Sequence, residues 1–451
     1  MRNRTRAAAL AIGLAALAAP LAAQTSITIY NDGRILVRRT VPAEVDRGIS
    51  AVRLPLGALD LSTLFALDSS VAIVSARYDG ATDYPSVLRR AVGRTLKFRY
   101  GNDTVTATVA GVDPERYRLP DGSIIFDAPG RPIFPADLVV IDPVTELTLR
   151  SRRAGRSLDL GYFSAGASWQ ASYQVILGRG GRAGITGSAV ISSNAFKADS
   201  AEVQLLAGSV NRAPSVRDQG AAKRMLAGNI VASEAVAVGE QRVGEFHLYS
   251  LSGRQTIRPG IDASVALFDP ASSTYDRRYV VHGSVPYYGV LQQYGDEQDV
   301  PVEVWYSVKR PRKTDFGDRP LPGGVVRLFQ PDSAGRLQLI GESGLSHTPA
   351  GQDLELAAGT AFDLTAKRVQ ATYSVRRDSS RTTAFADYRV TLTNATDSTV
   401  TVEVQEERGG DWAVIQSSLP AEKVSSTVTR FRVRVPADGE ATLTYRVRVR
   451  W

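Results

Sequence analysis

The sequence predicts an all-β protein, and three observations predict it. Apolar and polar residues alternate with period two from residue 25 to the end, clusters of Gly, Pro, Asn and Asp punctuate that alternation, and helical stripes are almost absent. Alternation sends successive side chains to opposite faces of a strand, so each segment buries one face and wets the other. A chain of 451 residues can bury sizeable cores, and its length predicts two or three domains. It has no cysteine, so packing and sheet hydrogen bonds must hold it without disulfides.

Residues 1–23 precede the pattern and read as a signal peptide. Arg2, Arg4 and Arg6 form a basic region, 7–19 an apolar stretch, and Pro20-Leu21-Ala22-Ala23-Gln24 a small-residue cleavage zone. The cut is placed after Ala23, with Ala22 and Gln24 as neighbouring alternatives. The apolar run is shorter than the roughly 20 residues that cross a bilayer, and no later run is longer. The mature chain is therefore expected to be exported (periplasmic, cell-surface or secreted) with no transmembrane segment. A bacterial lipoprotein anchor would need a cysteine. Net charge is +8 and falls to +5 once the three leader arginines are lost, which permits an acidic partner without demanding one; nucleic acid is not expected.

A first module, 24–92, opens with a hairpin. Ile27 and Ile29 alternate before Asn31-Asp32-Gly33, Ile35 and Val37 after it, and Gly33 supplies the positive φ of an Asp-Gly turn. Strands follow at 51–54 and 71–78, then a helix-like piece at 84–92 with Val87, Leu88 and Ala91 on one face. A second module, 93–146, has short strands around 98, 105–109, 117–119, 124–126 and 138–141, spacing that suggests a small β-barrel-like unit. The third and largest module, 147–451, has strands at 172–177, 184–192, 202–206, 302–309 and 325–329, with weak periodicity at 211–240 that reads as a mobile loop. It closes with 430–435, the turn Pro436-Ala437-Asp438-Gly439-Glu440, and 441–451. As a hairpin this would set Val435 opposite Ala441, Val433 opposite Leu443 and Phe431 opposite Tyr445.

The segment Gly166-Ala167-Ser168-Trp169-Gln170-Ala171-Ser172-Tyr173 resembles DUF4139, a family of uncharacterised domains related to mucoidy inhibitor A-like proteins. The likeness extends to Asn194, Leu321-Pro322-Gly323-Gly324-Val325, Ile340-Gly341-Glu342, His347-Thr348-Pro349, Gly359-Thr360-Ala361-Phe362-Asp363, Gly410-Asp411-Trp412 and the closing Arg446-Val447-Arg448-Val449-Arg450-Trp451. Tyr30-Asn31-Asp32-Gly33 and Tyr78-Asp79 resemble that family's leader module. The chain departs from the pattern at Ala198-Asp199-Ser200, where the family tends to place an aromatic. The resemblance implies an N-terminal β-sandwich-like module, a larger C-terminal immunoglobulin-like β-sandwich and a surface or envelope context. It brings no reaction and no catalytic residues. It implies structural roles for Trp169, Tyr173, Asn194, His347, Phe362, Asp363, Trp412 and Trp451.

Arg430, Arg432 and Arg434 on one closing strand and Arg446, Arg448 and Arg450 on the next read as a row of like charges on one face. Such a row needs compensation, either by a neighbouring strand carrying Glu403, Gln405 and Glu407 or by an anionic partner such as a polysaccharide, lipid head group or protein, whose carboxylates or phosphates match the guanidinium fork. The alternation 443–451 also has the form of a closing outer-membrane barrel strand, weighed here against a soluble sandwich edge.

Catalytic signatures are thin. His247, His282 and His347 form no metal-type pair, and no G-x-S-x-G elbow occurs. Gly178-Arg179-Gly180-Gly181-Arg182-Ala183-Gly184 precedes a strand and reads as a turn, Asp315-Phe316-Gly317 as a loop, Asn394-Ala395-Thr396 as a turn despite its sequon form. Glu406-Glu407 and Asp60 with Asp68 are the carboxylate pairs a hydrolase of cell-surface polysaccharide or peptide would use. No motif calls for a cofactor or a metal. The reading is a non-enzymatic envelope or secreted binding protein, with that hydrolase as the alternative. Mass spectrometry of the protein exported from its host should find Gln24 as the first residue of the mature chain.

Overall fold

The computed structural model describes residues 25–208, 210, 240–243, 246–283, 296–379 and 381–451; the leader and nearly all of 211–240 lie outside them. The regular structure of the described residues is nearly all strand, in five sheets. The opening hairpin forms in the expected register: Thr25–Tyr30 pairs with Arg34–Val45, Ile29 lies opposite Ile35, and Gly33 has φ +83°. Its other neighbour is distant in sequence. Thr25–Tyr30 runs parallel to Ala198–Ala207, in a seven-stranded sheet that also holds Gly155–Ala165 and Phe246–Ile257. This sheet closes on the hairpin Ala167–Leu177/Arg182–Ser193 and on the three-stranded sheet Gly48–Leu54, Val144–Ser151 and Val71–Asp79, around one core that includes Ile27, Ile35, Leu149, Leu160, Trp169 and Tyr173. The sheets do not follow the chain-order boundaries at 92 and 146, because Val144–Ser151 runs across the second and pairs back onto the first module.

The helix expected at 84–92 is present as Tyr84–Arg90. Asp83 caps it by accepting the Ser86 N–H at 2.8 Å, and a proline occupies its first turn. Val87, Leu88 and Ala91 are buried against Leu96, Phe98 and Tyr117, so the helix packs with the strands that follow it. Those strands run in the order Arg131–Ile133, Thr95–Tyr100, Asp103–Val112, Glu115–Arg118, Ile124–Ile125. The two ends do not pair, so this is an open sheet rather than a barrel, and the helix supplies part of the cover that closure would have given.

One strand of 20 residues, Ala263–His282, enters two cores. Residues 263–274 pair with Arg182–Ser193; residues 275–282 pair with Glu303–Val308 and, in parallel, with Val400–Glu407. Val400–Glu407 and Val428–Val435 then face the sheet of Leu364–Arg377, Thr382–Asn394, Gly439–Arg450 and Asp411–Ser417, with Val404, Phe431, Val433, Val390, Tyr445 and Val447 between them.

The closing segments depart from expectation. Val428–Val435 pairs with Val400–Glu407, whereas Gly439–Arg450 lies between Thr382–Asn394 and Asp411–Ser417, so the turn 436–440 is an arch between sheets and not a hairpin. Phe431 does meet Tyr445, but face to face across the core, their rings stacked 4.9 Å apart. Alternation is satisfied equally by a hairpin with one buried face and by an arch with two inward faces, which is why it could not separate them. Buried Asn394 pins the arch: its Nδ2 donates to Pro436 O at 2.7 Å and Ser398 O at 2.9 Å, so the sequon asparagine is a structural clamp. Leu443, Tyr445, Val447 and Val449 lie in this core, not on a lipid face, and their strand is interior to its sheet, not at an edge.

Val400–Glu407 points one ionisable side chain inward. Glu406 is fully buried, 2.7 Å from Arg408 and 3.0 Å from Arg368, and the Tyr445 hydroxyl donates to it at 2.7 Å. The Arg368 guanidinium also lies 3.9 Å from the Tyr388 ring centroid. Burial and the Glu406 carboxylate push the Tyr445 hydroxyl well above the usual tyrosine range, so it remains a donor. Removing the anion from such a cluster strands two buried cations. Glu406→Gln should therefore cost about 3–5 kcal/mol in urea unfolding. Glu407→Gln, one residue on and solvent-facing, should stay within about 0.5 kcal/mol.

Candidate functional site

Segments far apart in sequence converge on one face of the first sandwich. In Ala167–Leu177 the even residues Ser168 and Gln170 face solvent while Trp169, Ala171 and Tyr173 are buried. Ser168 lies opposite Ser192 and Gln170 opposite Val190 on the paired strand. Asn31 from the opening turn and Gly323-Gly324 complete a cleft of about 540 Å³; a second, of about 340 Å³, adjoins it through Ser168 and Ser192. Trp169 contributes to the larger cleft. It is 4% exposed, packs on Tyr249 with centroids 6.3 Å apart, and its indole Nε1–H has no hydrogen-bond partner among the described residues.

The glycine wall is held from behind by polar side chains. Tyr173 donates to Pro322 O at 2.7 Å, Tyr249 to Pro320 O at 3.4 Å, and the Gly323 N–H donates to His347 Nδ1 at 3.0 Å. Leu321 and Thr348 exchange backbone hydrogen bonds, both of 2.9 Å. Gly324 sits so close to Ala171 that a Cβ there would come 2.1 Å from its carbonyl oxygen, so only glycine fits. Arg310, 2% exposed, ties two segments together by donating to the carbonyls of Phe316 and Arg319 before the glycines and of Pro349 and Gln352 beyond the next hairpin. Asp315-Phe316-Gly317, expected as a loop, instead begins the one-turn helix Asp315–Asp318, capped by the Thr314 hydroxyl, which accepts the Gly317 N–H at 2.9 Å, and Phe316 belongs to the core. No family model, curated protein or solved structure matches the chain.

The arginines do not share a face. Arg430, Arg432 and Arg434 point outward from one sheet, and Arg446, Arg448 and Arg450 from the opposing one, because the arch separates the two strands. Two of the first set meet carboxylates: Arg430 lies 2.8 Å from Glu422 and 3.5 Å from Glu403, and Arg432 lies 2.9 Å from Glu422; Arg434 stands opposite Thr401. Glu422 is held below the usual carboxylate range, first by its hydrogen bond from Arg430. Glu403, opposite Arg432, is shared with Arg278 at 3.2 Å.

The second set lies on a more basic face. Arg446 stands opposite Asp387, Arg448 opposite Phe385 and Arg450 opposite Thr383; Arg389 and Arg376 project from the same side. The nearest carboxylate contacts are long: Arg446 to Asp387 at 3.4 Å, Arg450 and Arg448 to Asp411 at 3.8 and 4.0 Å. Arg376 and Arg446 lie over the Phe385 ring, 5.8 and 5.9 Å from its centroid, and Arg448 Nε has no hydrogen-bond partner among the described residues. Arg376, Arg389 and Phe385 escaped sequence reading because they lie on other strands. Ser168 and Gln170 did carry a signal: with Ser172 and Gln174 they form an uncharged polar stripe at period two.

The remaining residues fall into place singly. Asn194 is exposed, its N–H donating to Gly166 O at 2.9 Å. Phe362 is 95% exposed, while Asp363 accepts the Ala395 N–H through its carbonyl at 2.9 Å. Trp412 donates to Ser426 O at 3.2 Å, and Trp451 exchanges backbone hydrogen bonds with Thr382. Glu406 and Glu407 point to opposite faces, and Asp68 pairs with Arg153 at 2.6 Å while Asp60 accepts from Ser62. Among the described residues no group of three or more His, Asp or Glu could hold a metal ion.

Burial, and then the neighbouring His247, hold His347 below the ordinary histidine range, and its Nδ1 can accept from Gly323 only while the ring is neutral. A base whose folded pKa lies below its unfolded value gives stability that is present at neutral pH and lost as the pH falls through the histidine range. The urea midpoint should thus drop between about pH 7 and about pH 5, and His347→Gln should flatten part of that drop.

Proposed function

We propose that the chain is an exported, non-enzymatic binding protein of the cell envelope, related to the DUF4139 domains, and that it docks an anionic partner on the outer face of its closing sheet. The carrying observation is the composition of one end of that face, where Arg376, Arg389, Arg446, Arg448 and Arg450 gather around Asp387 and Asp411, while Glu440 and Asp299 lie toward its other end. Long ion pairs leave guanidinium donors available, and the planar fork matches carboxylates in pairs. Phe385 beneath two of the arginines holds them extended at little entropic cost. An acidic polysaccharide or an acidic protein surface suits this arrangement. The opposing row Arg430, Arg432 and Arg434 is not part of the proposed face, since Glu403 and Glu422 already neutralise much of it.

The test is charge reversal on each face separately, with circular dichroism to verify folding. Arg446→Glu/Arg448→Glu/Arg450→Glu should abolish retention in the envelope fraction and on immobilised alginate at low salt. The same reversal at Arg430, Arg432 and Arg434 should leave both unchanged. Equal loss from the two faces, or none from the first, would sink the assignment.

A further inference from the structure

We infer that the outer face of the small open sheet is a second docking surface, and that its partner is the surface of an anionic phospholipid bilayer. The inner face of that sheet is core, where Leu96, Phe98, Ala107, Val109 and Tyr117 pack with the helix Tyr84–Arg90. Alternation sends their neighbours outward. Thr95–Tyr100 therefore presents Lys97 and Arg99, Glu115–Arg118 presents Arg116 and Arg118, and Arg131–Ile133 presents Arg131, all exposed. Between them Asp103–Val112 contributes Thr104, Thr106 and Thr108. The five strands place no carboxylate on this side, since Asp103 and Glu115 share the parity of the inward residues.

These cations oppose one another instead of being matched. Arg131 stands directly opposite Arg99 in the antiparallel pair, and Lys97 lies two residues from Arg99 on the same side. Like charges so placed destabilise a sheet. None of the five forms an ion pair among the described residues, whereas outward arginines on other strands do: Arg327 meets Glu342 at 2.7 Å and Arg430 meets Glu422 at 2.8 Å. Carboxylates of this part of the chain are engaged elsewhere. Glu115 accepts from the Tyr117 hydroxyl at 2.6 Å, and Asp137 meets Arg94 at 3.1 Å. A face that keeps like charge against its own stability is complementary to an anion outside the chain.

The apolar side chains among the cations select the bilayer. Ile133 stands opposite Lys97 and Ile124 opposite Arg118, so each edge strand sets an exposed isoleucine beside a cation. Tyr100 ends one strand and Phe126 follows another, 68% and 63% exposed. A soluble polyanion would pair with the cations and leave the isoleucines in water. A bilayer interface takes up both: its phosphates meet the guanidinium forks, and its acyl boundary meets the isoleucines and rings. The cations also spread across the sheet, from Arg131 on one edge strand to Arg118 three strands away, roughly 14 Å at about 4.8 Å per strand. That is a platform for a surface, not a track for one chain. It lies on a different sheet from the basic face of the closing strands and does not rest on that assignment.

Flotation of the full mature chain with vesicles tests this, comparing phosphatidylglycerol mixed with phosphatidylcholine against phosphatidylcholine alone. Binding to the anionic vesicles only, reversed by high salt, is expected. Lys97→Gln/Arg99→Gln/Arg131→Gln should weaken it about a hundredfold, and Tyr100→Ser/Ile133→Ser severalfold. Relief of like-charge repulsion should leave the urea midpoint of the triple variant unchanged or raised. If that midpoint falls instead, Arg116→Gln/Arg118→Gln, on another strand, should still weaken vesicle binding more than tenfold. Arg446→Glu/Arg448→Glu/Arg450→Glu should bind vesicles as the wild type does, so failure of this surface and failure of the closing-sheet face are told apart. In that same reversed background, polyguluronate and a thymidine oligonucleotide serve as soluble polyanions and should not bind. No binding to anionic vesicles, unchanged affinity in both glutamine variants, or a soluble polyanion held through Lys97, Arg99 and Arg131 would overturn the inference.

Discussion

A strand that runs through two cores must be hydrogen-bonded in both, and the architecture depends on how Ala263–His282 meets that demand. Its first part completes the sheet of Arg182–Ser193, and its second part seeds the sheet of Val400–Glu407. An unpaired buried backbone group costs as much as a lost hydrogen bond, so neither sandwich can release this strand without exposing its own sheet. Register irregularities between Ile185 and Ser188 take up the change in pairing within the first half.

Buried polar groups add direction to a structure whose apolar contacts are non-directional. Glu406 holds Arg368, Arg408 and Tyr445 between the two layers of the C-terminal sandwich. Arg310 gathers four carbonyls from two separate segments, around 316–319 and 349–352, and Asn394 fastens the arch. A net gain in stability from such ionic clusters is not guaranteed, because desolvation offsets much of the attraction. Their effect here is geometric: each fixes a connection that alternation alone leaves free.

Two surfaces with different chemistry result. The closing sheet presents arginines around the Phe385 ring. The cleft of the first sandwich presents Ser168, Gln170 and Ser192 beside the Gly323-Gly324 turn. Both are assembled on strands whose opposite faces are core, so the scaffold that packs the protein also orders the surface side chains.

The sequence by itself determined the strands, the opening hairpin with Gly33 at its turn, the helix at 84–90 and the inward set of apolar residues, because alternation, turn chemistry and capping act over a few neighbours. The same locality made the stripe Ser168, Gln170, Ser172, Gln174 visible, and set Glu403 outward on the strand that pairs with Arg432. Only the tertiary structure decided which strands pair. It placed Thr25–Tyr30 beside Ala198–Ala207, left the small sheet open, and turned the closing hairpin into an arch that put the two arginine rows on opposite faces. It also brought Asn31, Ser168 and Gly323 to one cleft and Arg376, Phe385 and Arg448 to one surface. The physical reason is that period two states which face of a strand is buried but not against what. Partner choice rests on contacts between residues as far as 176 positions apart, and no local pattern records them.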